Sequence, residues 1–569
     1  SSASLEQARI IMQFPVSDIA SDRTSGALKA KNSDTFFLKL SSVAHSQTTP
    51  KQYTVSVSPL VRTWDEGRGL DMESYLDLDA SNWLSASDNI TWANAGGDFA
   101  SLGHISSSSS PMEFTTYIED QDDDISLDIT SLVEDWLSHQ NSASTTATGS
   151  IKFSGQPTAD ELILLYSHTG TPKTFQFKAG TTGSADGNLY FVDRDTSAAA
   201  AAASLRDQIN VAFAGELTAS VSGDDNTLVD LTQSAPGYYG NTIVSSSKPS
   251  EFSHVTPSLF GGTGAINYGV VVRLSGSSED GTNKESYYTK KIFSRTSQFF
   301  FHKPHIEARF DKSINDDRSV SYKSSDLATE ADNINRIYLY NKQRSGLSDI
   351  PNTGSYLLVE LVPTVGTAGV TLPVGGGVGA NARTFITASR HSLGVYEAQF
   401  TYSGTESSLV DIWQTTASVG GHTHVHTGSQ VTIISDNLDS HYEIGSFSTN
   451  ITNLKPSYGS KEKINLRVYT RDKTIAPTVY TVASTKAPVS LMRNSCYQIK
   501  RVSDNYVVIP YTTGSTPQYS KMSYDMSGSF FEIDMSLLEP NYGYEISFLR
   551  QDGPAYVEQQ ERFKFRVDP

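Results

Sequence analysis

Three histidines separated by single residues, His422-Thr423-His424-Val425-His426, form the sharpest chemistry-bearing constellation in this 569-residue chain. Neutral imidazole is a metal ligand, and alternate residues of a β-strand face one side, so a strand here would aim three ring nitrogens at one ion. The same residues in a surface loop would need no ligand. A second group is aromatic. Trp83, Tyr75 and Trp92 are candidate glycan contacts that stack on sugar rings, although Trp64 and Trp92 fit equally a role bracing loops over a core. A third group is acidic: Glu119, Asp120, Asp122, Asp123 and Asp124 offer oxygens of the kind calcium takes. They lack the spacing and closing Glu of an EF-hand, and read as a solvated, self-repelling loop.

Motifs for covalent or phosphoryl chemistry are missing. There is no Gly-x-Ser-x-Gly elbow, His-Glu-x-x-His or phosphate-binding Gly-x-x-x-x-Gly-Lys-Ser/Thr. Paired carboxylates of the glycosidase kind carry little weight in a chain with 62 acidic residues. The expectation is therefore a protein that is not an enzyme and needs no cofactor. A net charge of −18 argues against nucleic acid as a partner, because a nucleic-acid groove needs clustered positive charge. The lone Cys496 forms no intramolecular disulfide and reads as a small buried hydrophobe. No run of about 18 apolar residues is present, so no membrane insertion is expected.

The elements that must position these side chains are mostly strands. Tyr 28 and Phe 25 against Met 7 favour pleated, half-buried surfaces. Residues 1–147 alternate short apolar runs, such as Thr35-Phe36-Phe37-Leu38-Lys39-Leu40 and Gln52 to Leu60, with polar turns. The segment Asp128 to Leu137 is amphipathic and should lead into a buried strand, yet that strand, Asn267 to Leu274, follows only after more than a hundred residues of different character. The block between, 148–265, has its own strand–helix–strand pattern. Ser197 caps an alanine run, and Leu205, Ile209, Ala212 and Phe213 make one apolar stripe. A guest domain in a loop leaves its host intact when its ends lie together. Residues 266–325 complete the host; 326–440 and 441–569 alternate strands with loops such as Val374 to Gly379, as Ig-like sandwiches do.

Several of these residues carry a family resemblance. Trp64-Asp65-Glu66-Gly67, Thr91-Trp92 followed by Gly96-Gly97-Asp98-Phe99, and Asp128 to Trp136 leading to Asn267-Tyr268-Gly269-Val270-Val271-Val272 resemble the DNRLRE-type jelly-roll module. The match spans residues 1–147 and about 266–325, roughly a third of the chain. Modules of this type occur as surface stalks, as carbohydrate-binding units and in tailed-phage virion proteins. The continuation through Tyr287 to Arg295 and Pro304 to Phe310 resembles phage structural proteins, and the insert, with its Gly240-Asn241-Thr242-Ile243 turn and closing Phe260-Gly261-Gly262, resembles a phage-type module.

The combined expectation is a mainly β, multidomain chain: jelly-roll or sandwich host, small inserted α+β domain and C-terminal Ig-like sandwiches. The resemblance implies a structural component of a tailed-phage virion, in the neck or collar, a tail-associated fibre or a capsid-surface appendage. Its partners would be other virion proteins and copies of itself. The alternative is a carbohydrate-binding adhesin or receptor-binding protein whose partner is a host surface glycan.

Overall fold

In the computed structural model, the described residues are all except 1–7, 29–33, 45–50, 68–79, 100–112, 141–143, 195–196, 249, 251–257, 281–288, 330, 345, 352–355, 374–381, 417–421, 435–446, 474–490, 515–516 and 553–554. The chain is mainly β and multidomain, with many sheets. It divides into two compact units, Ser1–Asp22 with Thr35–Ala308, and Arg23–Asp34 with Arg309–Pro569. No described helix is long and apolar enough to cross a membrane.

In the first unit a four-stranded antiparallel sheet runs in the order Ile10–Met12, Val270–Leu274, Tyr53–Pro59, Phe114–Ile118. The central strand Val270–Leu274 thus comes from beyond the insert. A three-stranded sheet of His305–Arg309, Thr35–Leu40 and Ile125–Asp128 lies in the same unit. Period-two alternation decides which side chains go inward: Phe36, Leu38 and Leu40 are buried while their neighbours are not. They share a core with Val55, Val57, Val270 and Val272, and with Leu132, Val133, Trp136 and Leu137 of the helix Thr130–Gln140. The Asp128 carboxylate opens that helix by accepting from the Thr130 N–H at 2.9 Å.

The intervening segment builds a separate core. A five-stranded sheet orders Gly183–Ser184, Leu189–Asp193, Pro172–Lys178, Leu162–Tyr166 and Ser245–Ser246. A three-stranded sheet orders Leu217–Val221, Leu228–Pro236 and Thr146–Lys152. The helix Ala198–Ala212 is capped by the Ser197 hydroxyl, which accepts from the Ala200 N–H, and buries Ala201, Ala202, Leu205, Ile209 and Ala212 against both. The segment's ends meet: Thr145 pairs with Thr263 and Thr148 with Phe260. It is not a bead on a string, however. Its turn at Tyr238-Tyr239 drives two buried rings into the host core beside Ala265. Gly237 permits that turn, with φ +119° and an Ala265 backbone carbon 2.8 Å from where a Cβ would stand.

In the second unit one seven-stranded path links Ser321–Tyr322, His422–Ile434, Ser408–Thr416, Tyr356–Val362, Phe385–Ser392, Val395–Phe400 and Asn335–Tyr340. Its core includes Leu357, Val359, Ile386, Leu409, Trp413 and Val431. Two further sheets face one another. Phe447–Ile451, Lys463–Asp472, Gly528–Asp534 and Ser523–Asp525 form one. Ser457–Gly459, Phe563–Asp568, Gly543–Asp552, Ser495–Arg501 and Val507–Ile509 form the other, with Ala555–Glu558 alongside Gly543–Asp552. Between them Phe531 stacks on Tyr497 at 4.4 Å and meets Phe548 edge-on at 5.9 Å.

Candidate functional site

The three histidines lie on the strand His422–Ile434, and all are exposed. The pairing strand Ser408–Thr416 sets their directions. His422 opposes Thr416, His424 opposes Gln414 and His426 opposes Trp413, with a register shift between Trp413 and Gln414. Residues two apart on one strand therefore oppose adjacent residues on the other. The alternation that would carry three imidazoles to one side breaks between His424 and His426. The rings also have local partners: His424 Nε2 lies 2.9 Å from the Thr427 hydroxyl, and the His422 ring lies 5.0 Å from that of Phe385. Among the described residues no three His, Cys, Asp or Glu side chains group so as to hold a metal ion.

The tryptophans have partners within the fold. Trp92 is 7% exposed and donates its indole N–H to the Asn82 carbonyl at 2.8 Å. Trp83 is half-buried beneath the Arg9 guanidinium, 5.0 Å from its ring centre. Tyr75 lies outside the described residues. Trp64 donates to the Tyr268 carbonyl at 2.8 Å, joining the two parts of the host across the insert. Glu66 of the same motif takes both Arg295 Nε and Nη2, at 2.7 and 3.0 Å. Asp98 of Gly96-Gly97-Asp98-Phe99 is fully buried. It accepts from the Ala93 and Asn94 N–H groups and pairs with Arg62 at 3.2 Å, fixing the loop.

Sequence reasoning missed the network over this loop. Arg9 Nε meets Glu279 at 2.6 Å and its Nη1 donates to the Gly96 carbonyl at 2.8 Å. Arg273 reaches Glu113 at 2.6 Å and Glu279 at 3.3 Å, and both guanidinium groups lie over Phe99. No local spacing signals it, because residues 9, 99, 113, 273 and 279 meet only through the sheet.

The acidic run is internally bonded. Asp123 accepts from the Glu119 and Asp120 N–H groups at 3.0 and 2.8 Å, which holds its carboxyl below the usual range. Asp124 accepts from Ser42 N–H at 2.7 Å. The Lys290 ammonium donates to the Gln121 and Asp123 carbonyls, so a protein cation occupies the turn.

A second buried polar cluster lies in the other unit, on the strap 311–322. Asp411 is fully buried and receives the Arg318 guanidinium through both terminal nitrogens, at 2.5 and 2.8 Å, together with the Trp413 indole N–H. Arg318 also donates to the Tyr338 carbonyl at 2.9 Å. Gly428 faces the carboxylate so closely that a Cβ there would collide with its oxygens. Burial pushes the neighbouring Asp316 up to about 6 against the opposing pull of Arg318. Asp317, also raised by burial, accepts from the Arg336 N–H and the Tyr524 hydroxyl, both at 2.8 Å. The strap thereby ties the seven-stranded sheet to the C-terminal sandwich: Asp316 N–H donates to the Tyr524 carbonyl at 3.0 Å and Thr432 N–H to that of Arg318 at 2.7 Å.

Compared with known proteins, the chain matches no family model and no curated sequence, so the resemblance to the DNRLRE-type module rests on the quoted motifs alone.

Proposed function

We propose that this chain is a non-enzymatic structural component of a tailed-phage virion, at the neck or collar, on a tail-associated fibre or on the capsid surface, acting through assembly contacts with copies of itself and with other virion proteins. One observation carries the reading. The strand Val270–Leu274 completes a sheet begun before residue 60, while the segment between has its own core. That is modular β construction, in which a host fold carries a guest without loss of its own sheet. The motifs at Trp64 to Gly67, Gly96 to Phe99 and Asp128 to Trp136 lend it the virion context. Charged clusters at the Gly96 loop and on the strap 311–322 act here as braces, as a part held under load requires. Immunogold labelling of intact particles with an antibody against the chain tests the proposal. Discrete gold at the neck, tail or capsid surface supports it; unlabelled particles beside labelled host cells would overturn it.

A further inference from the structure

Two guanidinium groups near the strap differ in what they hold. Arg318 is occupied by Asp411 and the Tyr338 carbonyl. Arg493 lies over the rings of Tyr322 and Tyr524, at 4.9 and 5.8 Å, and its Nη2 donates to the Val320 carbonyl at 3.2 Å. Among the described residues no carboxylate forms an ion pair with it. Three other arginines of its sandwich do pair: Arg467, Arg501 and Arg562 hold Asp525, Glu539 and Glu558 at 2.7, 2.5 and 2.9 Å. The nearby Asp317 acts on the charge of Arg493 only through space.

That place is a cleft of about 400 Å³, lined by Arg493 with Ser319, Val320, Tyr322, Leu491 and Met526. We propose that it binds the carboxylate of a small organic acid with an apolar body. A guanidinium has five N–H donors in a rigid fork, and Arg493 spends one on Val320, which leaves an edge for a two-pronged carboxylate bond. The tyrosine rings hold the fork in place, so little side-chain freedom is lost on binding. Val320, Leu491 and the flexible Met526, itself 58% exposed, supply an adaptable apolar wall for an aliphatic body rather than a sugar ring. Asp317 acts on Arg493 through space but is not hydrogen-bonded to the fork, because its oxygens accept from the Arg336 N–H and the Tyr524 hydroxyl.

Calorimetry and saturation-transfer NMR on the full chain, with N-acetyl-leucine, its neutral amide and glucuronate as probes, test the proposal. The acid should bind saturably at one site, and the amide at least about ten-fold more weakly, since losing the charged bond costs more than about 1.4 kcal/mol. Arg493→Met should weaken the acid at least as much. Because Arg493 also braces the strap, Met526→Trp is the cleaner variant: it fills the cleft from an exposed position and should abolish binding with the unfolding temperature unchanged. No saturable binding at millimolar acid, equal binding of acid and amide, or binding that survives Met526→Trp would overturn the site. Glucuronate binding more tightly than N-acetyl-leucine would overturn the assignment of an apolar body.

Discussion

Replacing Arg318 with Met should loosen the seven-stranded sheet more than almost any other single change in the second unit. The side chain is 8% exposed, and it meets a fully buried carboxylate through two bonds of 2.5 and 2.8 Å. Removing it strands the Asp411 charge where water cannot reach, and breaking such a pair from one side costs about 3–5 kcal/mol. Asp411→Leu should cost a similar amount, because Arg318 then keeps Asp316, at 3.5 Å, as its one bonded carboxylate. The double variant should cost at least about 2 kcal/mol less than the sum, since neither charge remains. It will not be neutral, for the Trp413 indole N–H and the Tyr338 carbonyl lose their partner. Hydrogen exchange of the amides in Ser408–Thr416 and His422–Ile434, followed by mass spectrometry on the full chain, reads this locally and needs no two-state unfolding of a multidomain protein. The expected single-variant effect is a roughly 150- to 5,000-fold rise in the opening constant. A rise under about five-fold for Arg318→Met, or strictly additive single effects, would refute the reasoning that the pair is held as one buried unit.

Three further outcomes are expected. Burial pushes Asp316 up to about 6 in the folded state against an ordinary 3.8, so the folded state holds the extra proton between those values and stability should rise as pH falls from 7 towards 4, by up to about 3 kcal/mol; Asp316→Asn, with Arg318, Asp317 and Asp411 unchanged, should flatten that rise and be the more stable form at pH 7 by hydrogen exchange of the amides in His422–Ile434, and a variant less stable than the parent at pH 7 would contradict it. Tyr239→Ala should cost about 3–5 kcal/mol and raise exchange in the host strand Val270–Leu274, whereas Tyr239→Phe gives up only the 3.4 Å bond from Ile266 N–H and should cost about 1 kcal/mol or less. Protection lost in the insert alone would show that the ring does not belong to the host core. Ser197→Ala should cost about 1 kcal/mol, with faster exchange confined to the first turn of Ala198–Ala212.

The signals legible in the residues were local. The Ser197 cap and the Leu205, Ile209 and Ala212 stripe specify a helix and its buried face, and alternation in Thr35–Leu40 specifies which residues turn inward, because both signals repeat within a turn or a pleat. The late arrival of Val270–Leu274 was legible for the same reason: an apolar run is visible wherever it falls. What lies opposite what was settled by the assembled sheets. A register shift of one residue between two strands separated His426 from His424, and no period in His422 to His426 foretells it. Phe99 found Arg9 and Arg273, Asp411 found Arg318 across 93 residues, and Tyr239 entered the core of a host rather than its own module. Such partners are chosen by the closure of long loops and the burial that follows. That free energy belongs to the assembled sheets, and a short window of sequence does not contain it.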